Sequence, residues 1–227
     1  MFKIDNSGED ITLQLQAGDQ TPGTHWMLDN QTYVLDCASG NGQVRVWKWN
    51  GNDAPAVTGS ANVGASTGNV QAVSFDNDNA GIAYVFGRAA ANEGDVYKID
   101  LTNASAVKLF KVPRYAEDKA ITGIWTIQAE TRGDNKYFVF GGSIYAPARG
   151  QTGDSKHGVF WVKNPPSNGA EIADASIFDT ISDFPTAVRT MKTFKASNGD
   201  VFYAAKNYTS NPIAEADYRL RLIKIDN

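Results

Sequence analysis

The amino-acid sequence predicts an all-β fold built from a repeated four-stranded unit, and three observations support this prediction. Twenty-one glycines, with many asparagines and aspartates, divide the chain into short apolar segments, a pattern typical of strands joined by turns. Long amphipathic helical patterns are lacking, and the best helical candidate is the short segment ADASIFDTI at 173–181. One short motif also recurs along the whole chain.

The recurring motif consists of an apolar residue, a large apolar residue, usually Lys, an apolar residue, and usually Asp or Asn. Its five copies are MFKID at 1–5, VWKWN at 46–50, VYKID at 96–100, VFWVK at 159–163 and LIKID at 222–226. The apolar second and fourth positions flank the lysine. This alternation with period two predicts a strand with one buried and one wetter face. Trp161 takes the lysine position in the fourth copy, where the long loop nearby covers it or it is exposed for binding, and we expect the cover.

Each of the last four copies is one strand of a larger unit, whose strands we name A to D in chain order, with the motif as strand C. Strand B is an apolar run, expected to be buried on both faces, and its copies are TYVLD, AYVFG, YFVFG and VFYAA. Strand A comes before it as GTHWML, VQAVSF, GIWTIQA and AVRTMKTF. Strand D follows each of the first four copies of the motif, as ITLQLQ, APAVTG, AVKLFKV and AEIADASIF.

A four-stranded unit repeated along a chain is the signature of a β-propeller, in which each unit forms one blade. We predict one domain over 1–227 with about four blades, closed by the N-terminal strand. The predicted segments are strands C and D of a split blade at 1–17 and blades at 18–60, 61–113, 114–180 and 181–227. The last blade lacks its own strand D, and residues 11–16 are expected to supply it, which removes an exposed edge. The surplus strand Met1–Asp5 then caps an edge, pairs with a second chain or belongs to a longer propeller.

This strand pattern, which covers nearly the whole chain, resembles bacterial β-propeller repeat domains. In the general character of its repeat sequence it is similar to the surface propellers of gut Bacteroidetes. The sequence departs from named subfamilies, because it has neither a GH…WD pair nor a double glycine in each blade. The resemblance therefore implies a fold and a ligand-binding face, and it carries no motif for an activity.

Composition narrows the classes of partner. The formal net charge is −4 at pH 7, which argues against nucleic acid because phosphate binding needs a concentrated basic surface. No apolar stretch of membrane-spanning length is present. The start MFKIDNSGED does not resemble a signal peptide, so we expect a cytoplasmic protein if Met1 is native and a secreted or cell-surface one if the domain is excised. The single cysteine, Cys37, lies in an apolar run and is expected to be a buried thiol.

Strand A is the one expected to line the central channel, and its copies contain no acidic residue. Counting from Gly23, Gly68, Gly123 and Thr186 gives two sets of positions in register, one of which faces the channel. One set is Trp26, Gln71, Thr126 and Arg189, and the other is His25, Val70, Trp125 and Val188. The first would suit a polar ligand with an anionic group, whereas Trp26 and Trp125 are also plausible as core between blades.

Long insertions occur between strands B and C of the last two blades, and they carry aromatic and Arg side chains. Long loops on a rigid scaffold are where binding residues concentrate, so these residues join the predicted site. The predicted ligand-binding set is His25, Trp26, Gln71, Trp125, Tyr145, Arg149, Arg189 and Tyr208. Stacking on a sugar or a protein side chain suits this composition.

Other chemical signals are weak. Asp29, Asp76 and Glu130 come at the A–B turns, where they are expected to bond their own backbone. The two histidines, His25 and His157, are too few for a typical histidine-rich metal site. We predict no metal, no cofactor and no catalytic residue.

The function predicted from sequence is a non-catalytic module that binds a glycan or a protein through one propeller face. One alternative is a propeller enzyme of the lactonase, lyase or glycosidase type, with loop acids such as Asp154 and Glu215 reaching over the channel. Another is an assembly unit that self-associates through Met1–Asp5.

Overall fold

A computed structural model shows the architecture for most of the chain. It describes residues 2–5, 12–15, 24–28, 31–38, 43–49, 56–63, 70–76, 78–79, 81–90, 93–112, 115–116, 119–120, 123–145, 156–172, 177–184, 188–207 and 220–225. Within these ranges every regular element is a β-strand. None of the described residues forms a helix long and apolar enough to cross a membrane.

The described residues form nineteen strands. They are β1 (Phe2–Asp5), β2 (Thr12–Leu15), β3 (Thr24–Leu28), β4 (Gln31–Ala38), β5 (Gln43–Trp49), β6 (Ala56–Asn62), β7 (Val70–Phe75), β8 (Ile82–Ala90), β9 (Glu93–Asp100), β10 (Ser105–Val112), β11 (Tyr115–Ala116), β12 (Lys119–Ala120), β13 (Gly123–Arg132), β14 (Asn135–Tyr145), β15 (Lys156–Lys163), β16 (Ile177–Phe184), β17 (Val188–Lys195), β18 (Val201–Asn207) and β19 (Leu220–Lys224).

The longer strands form four antiparallel sheets, each with its strands in chain order. Sheet I is β3–β6, sheet II is β7–β10, sheet III is β13–β16 and sheet IV is β17–β19. The first strand of each sheet contacts the first strand of the next, so that β3, β7, β13 and β17 lie side by side. The predicted all-β fold with antiparallel four-stranded units is therefore confirmed. The total number of blades and the closure by an N-terminal strand stay predictions, since β1 and β2 are paired only with each other among the described strands.

Three apolar cores hold neighbouring sheets together, and the alternation along strand B explains why. Ala83 and Val85 of β8 pack towards sheet I, whereas Tyr84 and Phe86 pack towards sheet III. A strand apolar at every position is required when both of its faces are covered. The third core lies between sheets III and IV and includes Val139, Tyr203 and Ile223 among its members. The expected burial of both faces holds for β8 and β14 but fails for β18, where Phe202 and Ala204 are only half-buried.

The face assigned to the lysine motif is correct where it is described. Ile99 and Val162 are fully buried and Ile225 is 2% exposed, while Lys98 stays partly exposed. The side chain of Trp49 lies outside the described part. Trp161 is half-buried and packs against the core between sheets III and IV.

Strand D of the third unit was placed wrongly. The segment AEIADASIF at 170–178 was expected to form it, but the strand is β16, Ile177–Phe184, and it also replaces most of the helical candidate at 173–181. Ala170 and Ile172 instead exchange backbone hydrogen bonds with Lys111 on β10 of sheet II. The edge of β10 is covered in this way, which is one means of protecting an unpaired strand edge.

Candidate functional site

Three neighbouring inner strands each carry a β-bulge close to their start. The strand pairing skips one residue between Val70 and Ala72 on β7, between Ile124 and Thr126 on β13, and between Val188 and Thr190 on β17. The skipped residues are Gln71, Trp125 and Arg189. A bulge redirects a side chain and is frequent beside functional sites. These three residues are therefore equivalent positions at one end of the inner strands.

This equivalence corrects the registers inferred from sequence. Counting from the opening residue grouped Gln71 and Arg189 with Thr126, and it grouped Trp125 with Val70 and Val188. The structure instead aligns Trp125 with Gln71 and Arg189, and Thr126 is buried. Residue counting failed because the opening residue is not at the same distance from the bulge in every sheet.

Two of the predicted site residues meet directly. The guanidinium carbon of Arg189 lies 4.3 Å from the centroid of the Trp125 ring, within the range of a cation–π interaction. Arg189 is exposed and Trp125 is half-buried. The expectation that Trp125 is simply core is thus not met, because its ring faces an exposed cation on the next sheet.

Gly141 of β14 explains how sheets III and IV come this close. A Cβ atom at this position would lie 2.7 Å from Cγ2 of Thr126 and 2.7 Å from Cγ1 of Val188. Both contacts are shorter than real Cβ contacts, so only glycine fits where β17 crosses β14. The missing side chain allows Val188, and with it Arg189, to approach β13.

For the other predicted site residues the structure describes either the backbone alone or nothing. His25 and Trp26 lie on β3, opposite Val34 and Tyr33, and Gln71 lies on β7. Tyr145 ends β14 opposite Lys156. Arg149 and Tyr208 lie outside the described residues.

The acids of the inner strands gather at the opposite end. Asp76, 1% exposed, accepts hydrogen bonds from the hydroxyl of Tyr84 at 2.8 Å and from Nζ of Lys136 at 2.9 Å. Burial and the Asp76 carboxylate raise the pKa of Tyr84 above its usual value. The predicted turn role is partly right, because Asp76 also accepts from its neighbour's backbone at Asp78, but its main partners belong to the core and to sheet III.

Glu130 departs further from the turn chemistry expected of it. It lies within β13, is 1% exposed and forms an ion pair with Arg132. Arg132 also donates from Nη1 to the backbone carbonyl of Ile225, the residue that follows β19 of sheet IV. The pKa of Tyr203, beside this pair, is raised by burial and by Glu130. Asp29, the third acid of this group, lies outside the described residues.

A cleft of about 490 Å³ opens beside Asp76 between sheets II and III. Lys98, Thr131 and Lys136 line it together with apolar side chains such as Phe138. Both inner-strand acids at this end are already bonded to cations. Glycosidic bond cleavage uses one carboxylic acid and one free carboxylate, so Asp76 and Glu130, each paired with a cation, do not fit these roles.

Sequence reasoning missed a second feature at the bulge end. His157 is the second residue of β15 and lies opposite Ser143, at the same end of sheet III as Trp125. Burial lowers its pKa, so the imidazole is neutral near pH 7. Its position at the start of a strand C was readable from the sequence, but it had been weighed only as a metal ligand. No group of three or more His, Cys, Asp or Glu that could hold a metal occurs among the described residues.

Comparison with solved structures identifies the fold. The sequence matches no protein-family model, and no curated protein is significantly similar to it. Among solved structures, the endo-arabinase from Bacteroides thetaiotaomicron VPI-5482 aligns with a TM-score of 0.51 at 10% identity, over 96% of this chain and 81% of that one. An exo-1,5-α-L-arabinanase from a bovine ruminal metagenomic library aligns with a TM-score of 0.51 at 12% identity, over 90% and 73%. The shared fold is the β-propeller.

The propeller fold bears on the function predicted from sequence. The interpretation as a non-catalytic binding module is contradicted, because two solved structures that share this fold are an endo-arabinase and an exo-arabinanase. The expectation that the protein is not an enzyme loses its support for the same reason. Its premise was the lack of acids in strand A, but catalytic carboxylates can also be supplied by loops between strands.

Proposed function

We propose that this chain is a β-propeller enzyme that cleaves glycosidic bonds in an arabinose-containing polysaccharide. The observation that carries the proposal is the likeness to an endo-arabinase and an exo-arabinanase over 96% and 90% of the chain. The proposed enzyme has the four sheets described above as blades of one domain over 1–227, with the third blade extended to Phe184 at the end of β16.

The reaction is assigned to the bulge end of the inner strands. The guanidinium of Arg189 lies there over the face of the Trp125 ring and forms a cation–π pair with it. An aromatic ring binds the apolar face of a sugar, and a guanidinium donates hydrogen bonds to its oxygens. These two side chains therefore bind and orient the substrate in our proposal, and they are not the groups that transfer protons.

The carboxylates are assigned to connections that leave the sheets at the same end. The β14–β15 connection starts after Tyr145, in a sheet whose bulge residue Trp125 is near the same edge. It contains Asp154, and the corresponding β18–β19 connection contains Glu215. One protonates the leaving oxygen and the other acts as nucleophile or activates water. Two residues between β11 and β12 in the chain, Glu117 and Asp118, are further candidates by sequence position.

The test is hydrolysis of linear and branched arabinan, which is measured by the release of reducing sugar. Asp154→Asn and Glu215→Gln should each lower kcat at least about 100-fold, the usual contribution of a general acid or base. Asp134→Asn is the matched control, because Asp134 is an exposed carboxylate in the β13–β14 turn at the other end of sheet III. Its activity should equal that of the wild type.

Two outcomes contradict the proposal. One is that no arabinose-containing glycan is cleaved by folded protein. The other is that hydrolysis occurs but survives substitution of all four carboxylates, Glu117, Asp118, Asp154 and Glu215, which would place the chemistry elsewhere.

A further inference from the structure

The cleft between sheets II and III lies at the end of the inner strands opposite Trp125 and Arg189, so the proposed reaction does not use it. Its volume of about 490 Å³ is in the range of small-molecule sites. Tyr84, Phe110 and Phe138 form an apolar wall of the cleft. These three side chains are at most 5% exposed, and their rings pack edge to face. A ligand in the cleft would therefore bury apolar surface against a tightly packed aromatic cluster.

The outer rim of the cleft is a short segment, residues 165–167, that is fixed at both ends. Before it, Asn164 is clamped to β14, because its backbone N–H donates to the carbonyl of Lys136 and its Oδ1 accepts from the Lys136 N–H, both at 2.8 Å. After it, the N–H of Gly169 donates to the carbonyl of Leu109 on β10 at 2.7 Å. The rim thus connects sheet III to sheet II, and its two prolines restrict its backbone. A wall that is already in place loses little conformational entropy when a ligand binds.

Each acid that lines the cleft already has a cation of its own. Asp76 accepts a hydrogen bond from Nζ of Lys136 at 2.9 Å, and Asp78 forms an ion pair with Lys195 of sheet IV. The remaining charged side chain of the cleft is Lys98. Three lysines against two acids leave this group of side chains with a net charge of +1. The cleft therefore has one positive charge in excess.

Lys98 carries this excess charge on the inner side of sheet II. It lies opposite Tyr84 in the strand register, on the face that packs towards sheet III. Asp100, the acid two residues further along the strand, is instead bonded to Thr102 and Asn103. The pKa of Asp100 is lowered mainly by the hydroxyl of Thr102 and least by Lys98. An ammonium group beside an apolar wall attracts a carboxylate more strongly than one in open solvent does, because water screens the charges less there.

We propose that this cleft is a second ligand site, which binds a small organic monocarboxylate with an aromatic body. The carboxylate of the ligand pairs with Nζ of Lys98, and its ring lies between the aromatic wall and the two rim prolines. One negative charge matches the one excess positive charge, whereas a phosphate dianion would leave a negative charge beside Asp78. The inference is independent of the proposed enzymatic activity, because the cleft is at the other end of the inner strands.

The first experiment is titration calorimetry of the full chain with benzoate, benzyl alcohol, acetate and inorganic phosphate. Benzoate should bind once per chain, and the other three should bind at least about tenfold more weakly, since each lacks the ring or the single charge. Benzyl alcohol that binds as tightly as benzoate would indicate a purely apolar cleft. Equal binding of acetate or phosphate would indicate a simple anion site. Either result, or no binding of benzoate, would overturn the proposal.

The second experiment places benzoate in the cleft with two pairs of variants. Lys98→Met should weaken benzoate binding at least about tenfold, whereas Lys192→Met, which removes an exposed lysine of β17, should not change it. Ser167→Glu adds a negative charge to the exposed rim and should weaken binding, but Ser167→Gln adds a side chain of the same shape without charge and should bind like the wild type.

The Tm of each variant should stay within about 2 °C of the wild-type value, which shows that a loss of binding is not a loss of folding. Wild-type affinity in Lys98→Met, or equal affinity in Ser167→Glu and Ser167→Gln, would show that benzoate binds elsewhere and would refute the proposed site. Arabinan hydrolysis does not enter either readout, so failure of the proposed enzymatic activity would leave this test unaffected.

Discussion

Nζ of Lys136 lies 2.9 Å from Oδ2 of Asp76, although 60 residues separate them in the chain. Lys136 is the second residue of strand B of sheet III, and Asp76 follows strand A of sheet II. The same carboxylate oxygen accepts the hydroxyl hydrogen of Tyr84 from its own sheet. One buried carboxylate thus joins two sheets at the end of the inner strands opposite Trp125 and Arg189.

Removal of the Lys136 ammonium should destabilise the protein strongly. Lys136→Met leaves the buried Asp76 carboxylate without its cation, which costs about 3 kcal/mol of unfolding free energy when a buried pair is broken. Lys98→Met is the control, because Lys98 lines the same cleft without a salt bridge to a described residue. Urea unfolding measures both. Equal stability of the two variants would show that the Asp76–Lys136 contact contributes little.

Acid should weaken the ion pair between Asp78, which follows β7 of sheet II, and Lys195 of sheet IV. Burial alone would raise the pKa of Asp78, but hydrogen bonds from Lys195 and from the backbone of Thr131 lower it below its usual value of 3.8. A carboxyl whose folded pKa is depressed stabilises the fold above the unfolded pKa and loses this contribution as the pH falls through the folded value. Asp78→Asn should therefore be less stable than the wild type at neutral pH, and the difference should shrink below about pH 3.8.

Urea unfolding at a series of pH values measures this effect. Asp134→Asn serves as the control, because Asp134 is an exposed carboxylate of a nearby turn. A stability difference between Asp78→Asn and wild type that grows on acidification would contradict the assigned direction of the pKa shift.

Substitution of the cation–π pair should impair substrate use more than folding. Trp125→Ala and Arg189→Ala should each lower kcat/KM for arabinan about tenfold, equivalent to about 1.4 kcal/mol of lost transition-state binding. The exposed Arg189→Ala variant should keep the wild-type Tm within about 2 °C. Arg189→Lys retains the charge but loses the planar group that stacks on Trp125, so it should recover activity only in part. Full activity in Arg189→Ala would remove this residue from the site.

Gly141→Ala should reduce both stability and activity. The new methyl would press on Thr126 and Val188, and overpacking of this kind costs about 1–3 kcal/mol. It would also move β17 away from β13 and so separate Arg189 from Trp125. Gly199→Ala separates the two effects, because Gly199 has φ +89 with no atom within 4 Å of the added Cβ. That variant should lose about 1–2 kcal/mol from backbone strain and keep kcat/KM, and Gly141→Ala with normal kcat/KM would refute the positioning role.

Much of the strand order could be predicted from the sequence, because burial in a layered sheet imposes local patterns. Ile99, Val162 and Ile225 were assigned to a buried face through the motif alone, and all three are buried. Strand D of the third unit was misplaced because its sequence, IFDTISDF, lacks a clean alternation. Ala170–Ile172 pairs with another sheet, and no local pattern marks such a contact.

The candidate site was predicted from the sequence less accurately than the strand order was. Trp125 and Arg189 were both chosen from the sequence, but they were put in different registers. Each bulge sets two residues of one strand opposite a single residue of its partner, so it is identified only when the partner strand is known. The structure therefore decided that these two side chains meet.

The sequence by itself determined that the chain is all-β, that four-stranded units repeat and that lysine strands have one buried face. These properties follow from the period of two in a strand, which local residue types express directly. Only the tertiary structure decided that Arg189 stacks on Trp125 and that the buried Asp76 pairs with Lys136 of sheet III. Each of these depends on the approach of sheets far apart in the chain. Such contacts are governed by packing and by the cost of burying an unpaired charge. Neither can be inferred from the local alternation of residue types along a strand.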